Sequence, residues 1–132
     1  MLAAATLAPA IVTACGSDGS DLPEDERVRQ ITGVAELATN AYAAAGPEGL
    51  YDYLASSVEA DCSKEALAEA LAGEPVPDGF RRIDGVTFEG DTARATVVQL
   101  LADEERATEW TFVSVDGSWR ITLVPGIERC TD

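Results

Sequence analysis

The chain predicts an α+β fold, with helices first and an antiparallel sheet of consecutive hairpins after them. Three observations carry this expectation. Apolar residues recur at three- and four-residue steps from Val28 to Ala45, the period of one helix face. The stretch Glu74-Pro75-Val76-Pro77-Asp78-Gly79 breaks helical patterning. After Phe80 the apolar residues alternate instead, between turn signals that end in Asp116-Gly117. Helices followed by strands joined through short turns give a helical layer on one face of a curved four-stranded meander.

The elements follow in order. Asp21-Leu22-Pro23-Glu24 reads as a capping box, with Asp21 as N-cap and Glu24 reaching back. The helix after it turns Val28, Ile31, Ala35, Ala38, Tyr42 and Ala45 inward and ends at Gly46-Pro47. A second, shorter helix is expected over residues 48–57, with Leu50, Tyr53 and Leu54 on its inner side. Ser63 can cap a third, in which Leu67, Ala70 and Leu71 face inward and Gly73 marks the stop. Val86 and Phe88 open the alternating part, and Glu89-Gly90-Asp91 turns the chain. Ala93, Ala95 and Val97 then alternate within residues 92–101, and Ala102-Asp103-Glu104 makes the next turn. Residues 105–115 are rich in Thr, Val, Trp and Phe, and Asp116-Gly117 is a strong hairpin signal. Trp119, Ile121 and Leu123 alternate in the closing strand, and no internal repeat is visible.

Composition narrows the partner classes. The 132 residues suffice for one domain, and an apolar content of 46% is far too high for a disordered acidic tail. The net charge is −15, and all 24 acidic residues follow Ala14. Nine scattered basic residues cannot neutralise a run of phosphates, so a nucleic-acid partner is not expected. Direct docking on an anionic bilayer is disfavoured for the same reason. With no histidine, the Ser-His and Cys-His pairs and histidine metal ligands are absent from the chain. A general base would have to be a carboxylate or tyrosine shifted by its surroundings.

Residues 1–14, MLAAATLAPAIVTA, are uncharged, end in small residues and are too short to span a bilayer comfortably. They fit the apolar region of a signal peptide. Val12-Thr13-Ala14-Cys15 resembles the bacterial lipobox, in which an aliphatic residue and two small ones precede an acylated cysteine. The resemblance implies cleavage before Cys15, lipid on its sulfur, and an extracytoplasmic protein anchored to the cell membrane. Two or three acyl chains anchor durably, because each buried methylene contributes ~0.8 kcal/mol. The polar residues 15–23 then serve as a tether, and residues 24–132 form the domain. Export signals begin with a basic region, and none precedes this apolar run, so the true start is expected upstream of Met1.

Helices before strands, together with Val86-Thr87-Phe88-Glu89-Gly90-Asp91-Thr92-Ala93 and Asp116-Gly117-Ser118-Trp119-Arg120-Ile121, resemble the small nuclear-transport-factor-2-like domains of actinobacterial lipoproteins. The likeness runs from about Glu24 to Cys130, and the Ala-rich composition with Lys64 as the one lysine suits it. It implies a cone in which the sheet curls around the helices and can enclose an apolar pocket. It also implies a place beside transport or cell-wall machinery.

Two cysteines remain if Cys15 carries lipid. Cys62 and Cys130 then have one intramolecular pairing, in a compartment where disulfides persist. A bridge would contribute on the order of 2–4 kcal/mol by closing a long loop. The alternatives are unpaired thiols or a Cys130 that pairs with another chain. Two cysteines without histidine fall short of a four-ligand metal site. Asp103-Glu104-Glu105 lacks the alternating spacing of a calcium loop, so no metal or cofactor is expected.

Tyr42, Tyr53, Phe88, Trp110, Phe112, Trp119 and Ile121 are candidates to line a pocket, and inward aromatic residues are equally the ordinary content of a core. Asp52, between Tyr51 and Tyr53, is the candidate buried carboxylate for an enzyme of the isomerase or hydrolase kind. Its short helix would more naturally turn it to solvent. The leading expectation is a noncatalytic envelope lipoprotein that binds a partner protein or a small apolar ligand. The pocket enzyme is the competing one.

Overall fold

The computed structural model of the protein describes residues 23–131. Asp21 and Cys15 lie outside them. Helix α1, Glu24–Ala45, starts from Pro23, whose carbonyl accepts hydrogen bonds from the Glu26 and Arg27 N–H groups. Proline suits this entry because its fixed φ fits and no donor is wasted. Glu24, Asp25 and Glu26 place negative charge at the positive end of the helix dipole. The helix therefore begins with Glu24 itself, later than a cap at Asp21 would put it. Ile31, Ala35, Ala38, Thr39 and Tyr42 are its buried stripe. Ala45, expected inward, is exposed because the helix ends there, with the Gly46 N–H bonded to the Tyr42 carbonyl.

The expected second helix is divided. Gly46–Tyr53 is a 3-10 segment with Pro47 in its first turn, and helix α2 follows as Ser56–Asp61. Two glycines and a proline within four residues are poor α-formers. Gly49 has a second reason to be there: a Cβ at this position would run into the Ala41 carbonyl of α1. Lacking one, the segment lies directly on the helix. Leu50 and Leu54 are buried, and Tyr53 is half-buried. Helix α3, Lys64–Ala70, is capped by Ser63, whose side chain accepts from the Ala66 N–H at 3.1 Å. Leu67, Ala70 and Leu71 are buried as expected.

Four strands make one antiparallel sheet in the order β1-β2-β3-β4: Gly79–Glu89, Thr92–Leu101, Glu104–Val115 and Ser118–Leu123. The β3–β4 turn has φ 53° at Asp116 and 83° at Gly117. A type I′ hairpin needs both values positive, and Asp-Gly supplies them at little cost. Register shifts between Phe80 and Arg82 and between Ile83 and Val86 mark irregularities in β1, which locally strengthen twist. A third shift, between Thr111 and Phe112, changes the pairing at the end of β4. Leu123 is consequently opposite Thr111 and exposed, and Val124 takes the buried position instead.

One face of the sheet carries the core. Ala93, Ala95 and Val97 of β2, Trp110 and Phe112 of β3, and Trp119 and Ile121 of β4 join Ile31, Ala35, Ala38 and Tyr42 of α1 in a single apolar cluster. Within this layer Gln99 donates to the Thr39 hydroxyl at 2.9 Å and ties β2 to α1. Both side chains are buried, so either one left alone would carry the cost of an unmade bond, about 1–3 kcal/mol. After β4 the chain returns across the helical layer, where Val124 and Ile127 are buried, and ends in the short helix α4, Glu128–Thr131. Cys130 of α4 is bonded to Cys62, with Cα atoms 5.5 Å apart and 68 residues between them in sequence.

Two outcomes follow. Replacing both Cys62 and Cys130 by serine should lower unfolding stability by about 4 kcal/mol on the loop-entropy account, read as a reduced midpoint in urea. Gly49→Ala should cost about 1–3 kcal/mol, because the new methyl group must displace either the 3-10 segment or α1. An unchanged thermal midpoint would show that the two elements separate freely.

Candidate functional site

The aromatic candidates divide among four places. Phe112, with its neighbour Ile121, is wholly inside the core. Tyr42 and Trp110 stand at the end of the sheet beside Glu74, Gln99, Arg106 and Val124, around a cleft of only about 10 Å³. That is room for about one water molecule, so this end is nearly closed. Trp119 is also buried, yet its edge lines a surface groove. Phe88 is half-buried 5.9 Å from the Trp119 ring, with the Arg27 guanidinium 4.0 Å above its other side. Tyr53 lies apart from all of these on the 3-10 segment, half-buried.

The closed end is polar at its rim. Glu74 is held by Arg129 at 3.0 Å and Arg106 at 3.7 Å, and Arg129 also donates to the Ala70 carbonyl at 3.0 Å. Burial raises the Tyr42 hydroxyl pKa above its usual value, and the Glu74 carboxylate pushes the same way, against a smaller opposing pull from Arg106. Among the described residues no Asp or Glu is buried, and the buried polar side chains are Thr39, Gln99 and Ser114. Asp52 is exposed, and it is its backbone carbonyl that is engaged, by Arg120 at 2.7 Å. Nor do the described residues gather a group of acids or cysteines able to hold a metal ion. None of the described helices is long and apolar enough to cross a membrane.

A wider concavity lies at the β4 edge of the sheet. A groove of about 530 Å³ runs between α1 and β4, with Gln30, Gly33, Val34 and Leu37 on one wall and Gly117, Ser118, Trp119 and Arg120 on the other. Gly33 faces open space in this wall: a Cβ there would meet nothing within 4 Å. Leu37, at 56% exposure the most open large apolar residue described, forms its lip. The floor is fixed by a hydrogen bond of 3.1 Å from the Trp119 indole N–H to the Gln30 side-chain carbonyl. Ser118 and Arg120 carry the groove into a second hollow of about 240 Å³, bounded by Leu54, Ser56, Glu59, Val115 and Asp116.

No family profile matches the chain. No curated protein matches it significantly, and no solved structure does. The site's own geometry therefore carries the functional argument.

Sequence reasoning placed Trp119 and missed the rest of the groove. Its walls are about ninety residues apart in the chain, and Gly33 and Ser118 read as ordinary surface positions. The one available signal was Leu37, an apolar residue off the buried stripe of α1.

The raised Tyr42 pKa has a defined sign. In unfolded chain the hydroxyl ionises near pH 10, and the folded state holds its proton to higher pH. Its contribution is therefore complete below pH 10 and is lost as pH rises through the folded value. Tyr42→Phe should flatten the fall in stability above pH 10, measured by urea unfolding between neutral and strongly alkaline buffer. Equal slopes for both proteins would show that Tyr42 titrates as it does in unfolded chain.

Proposed function

We propose that the chain is a noncatalytic lipoprotein of the cell envelope, held to the membrane through Cys15, whose domain binds a partner protein. The observation that carries this reading is the Cys62–Cys130 bridge. It commits two of the three cysteines to each other and leaves Cys15, behind its small-residue run, as the thiol available to lipid. A bridge of this kind persists in oxidising space outside the cytoplasm. The order of helices before a four-stranded meander supports the nuclear-transport-factor-2-like resemblance.

The distribution of space favours a protein over a small apolar ligand. The cleft beside Tyr42 and Trp110 has room for about one water molecule, whereas the open groove beside Leu37 offers room, apolar surface and polar groups together. The absence of a buried carboxylate among the described residues favours binding over catalysis.

Growth of a bacterial host that expresses the chain behind a short basic leader, with an alkyne-bearing palmitate in the medium, tests the anchor. The label should appear on a chain that has lost residues 1–14, and Cys15→Ser should abolish it. An unlabelled chain that still carries Met1 would overturn the placement.

A further inference from the structure

The β4 edge, the groove and the acidic hollow form one continuous trough. In the β3–β4 hairpin, Val115 pairs with Ser118 across a two-residue turn, Ser114 with Trp119 and Val113 with Arg120. Pairs alternate between hydrogen-bonded and non-bonded in an antiparallel ladder, and the pair that closes a two-residue turn is bonded. The peptide groups of Trp119 and Ile121 therefore point away from β3, along the outer edge of the sheet. The Ile121 carbonyl indeed accepts the Ala55 N–H on that side at 2.8 Å, and Leu54 bridges to Ile121 in parallel. That cover stops at Ile121. Among the described residues no strand continues it past Trp119, where the groove lies.

We propose that this trough receives an extended segment of a partner protein, added in register to the β4 edge beside Trp119, with apolar and basic side chains. Edge strands recruit extended chains through their open N–H and C=O groups, and pockets beside the edge select alternate side chains. The Val34, Leu37 and Trp119 end takes an apolar side chain, as Leu37 is exposed and the space over Gly33 is empty. The other end presents Asp116 and Glu59. Arg120 sits between them with its guanidinium turned to the Asp52 carbonyl. A lysine or arginine on the incoming segment meets two carboxylates there, and the chain's net charge of −15 attracts a cationic partner and repels an acidic one.

The inference rests on the partner-protein reading and specifies its site. The test is amide NMR of the full chain titrated with a nonapeptide pool in which valine, isoleucine or leucine alternates with lysine. A matched pool with glutamate in place of lysine is the comparison. The lysine pool should shift the amides of Ser118, Trp119 and Arg120 and slow exchange of the Trp119 amide, and the glutamate pool should bind far more weakly. Leu37→Glu should weaken binding by about tenfold or more, the scale of burying a leucine. Asp116→Asn with Glu59→Gln should weaken it about fivefold and reduce its salt dependence. Neither change threatens the fold, since Leu37 is exposed and Asn-Gly keeps the turn. Equal binding of the two pools, or no shift in β4, would overturn the proposal. So would the same amides responding to palmitoyl-lipid vesicles without peptide, which would make lipid the occupant. Lysine-pool shifts confined to another surface would overturn this site while leaving the partner-protein reading in place.

Discussion

Burial of the inner sheet row against α1 and the 3-10 segment is the interaction from which the other features follow. The open four-stranded sheet has its core face covered by a single layer, the long helix α1 with the 3-10 segment and the shorter helices beside it. Ala93 and Ala95 on the sheet and Ala35 and Ala38 on the helix are all small and all buried, and they belong to one cluster. Small residues in both layers leave room for Trp110, Phe112 and Trp119 to fill the interior without voids. Gln99 and Thr39 meet inside this layer, so the register of α1 on β2 is set by a directional bond as well as by contact area.

Covering the sheet from one side has a structural cost at its ends. At the end near Trp110, where α1 contributes Tyr42, the chain returns after β4 and adds Val124. That return depends on a few apolar contacts, the Glu74–Arg129 pair and the bridge to Cys62. The surface ion pair contributes little alone, so the covalent link dominates. The opposite side is left open. Leu54 and Ala55 protect the β4 edge at Ile121, and the remainder of that edge borders the groove.

The sequence revealed features set locally. Asp116-Gly117 forces its hairpin by backbone conformation, Ser63 caps by a bond three residues away, and the stripe from Ile31 to Tyr42 repeats with the helix period. The Cys62–Cys130 pairing was one of the readings the sequence allowed, and it rested on the lipobox resemblance that assigns Cys15 to lipid. Residues 46–61 were harder, because Gly46, Pro47 and Gly49 weaken α-helix without naming what replaces it, and the close approach to Ala41 is a tertiary fact. Leu123 kept strand alternation in the sequence and lost it to the register shift between β3 and β4 beside it, which is a property of the pairing and not of the local sequence. The short helix α4 was invisible, since four residues carry no period. The groove belongs with these, as it needs α1 and the β3–β4 hairpin to meet. Among the pocket candidates, only their shared aromatic character was readable, and the core claimed most of them.

The two tryptophans occupy unlike surroundings. Trp110 is enclosed near the closed end, with its indole N–H on Thr108 at 3.2 Å, while Trp119 sits at the groove with its N–H on Gln30. Intrinsic fluorescence of the protein is therefore the sum of two emitters in different positions, one reporting the interior and the other the outer wall. Exchange of either for phenylalanine leaves a single spectroscopic probe already in place, so occupancy of the groove and loosening of the closed end can be followed separately without attached dye.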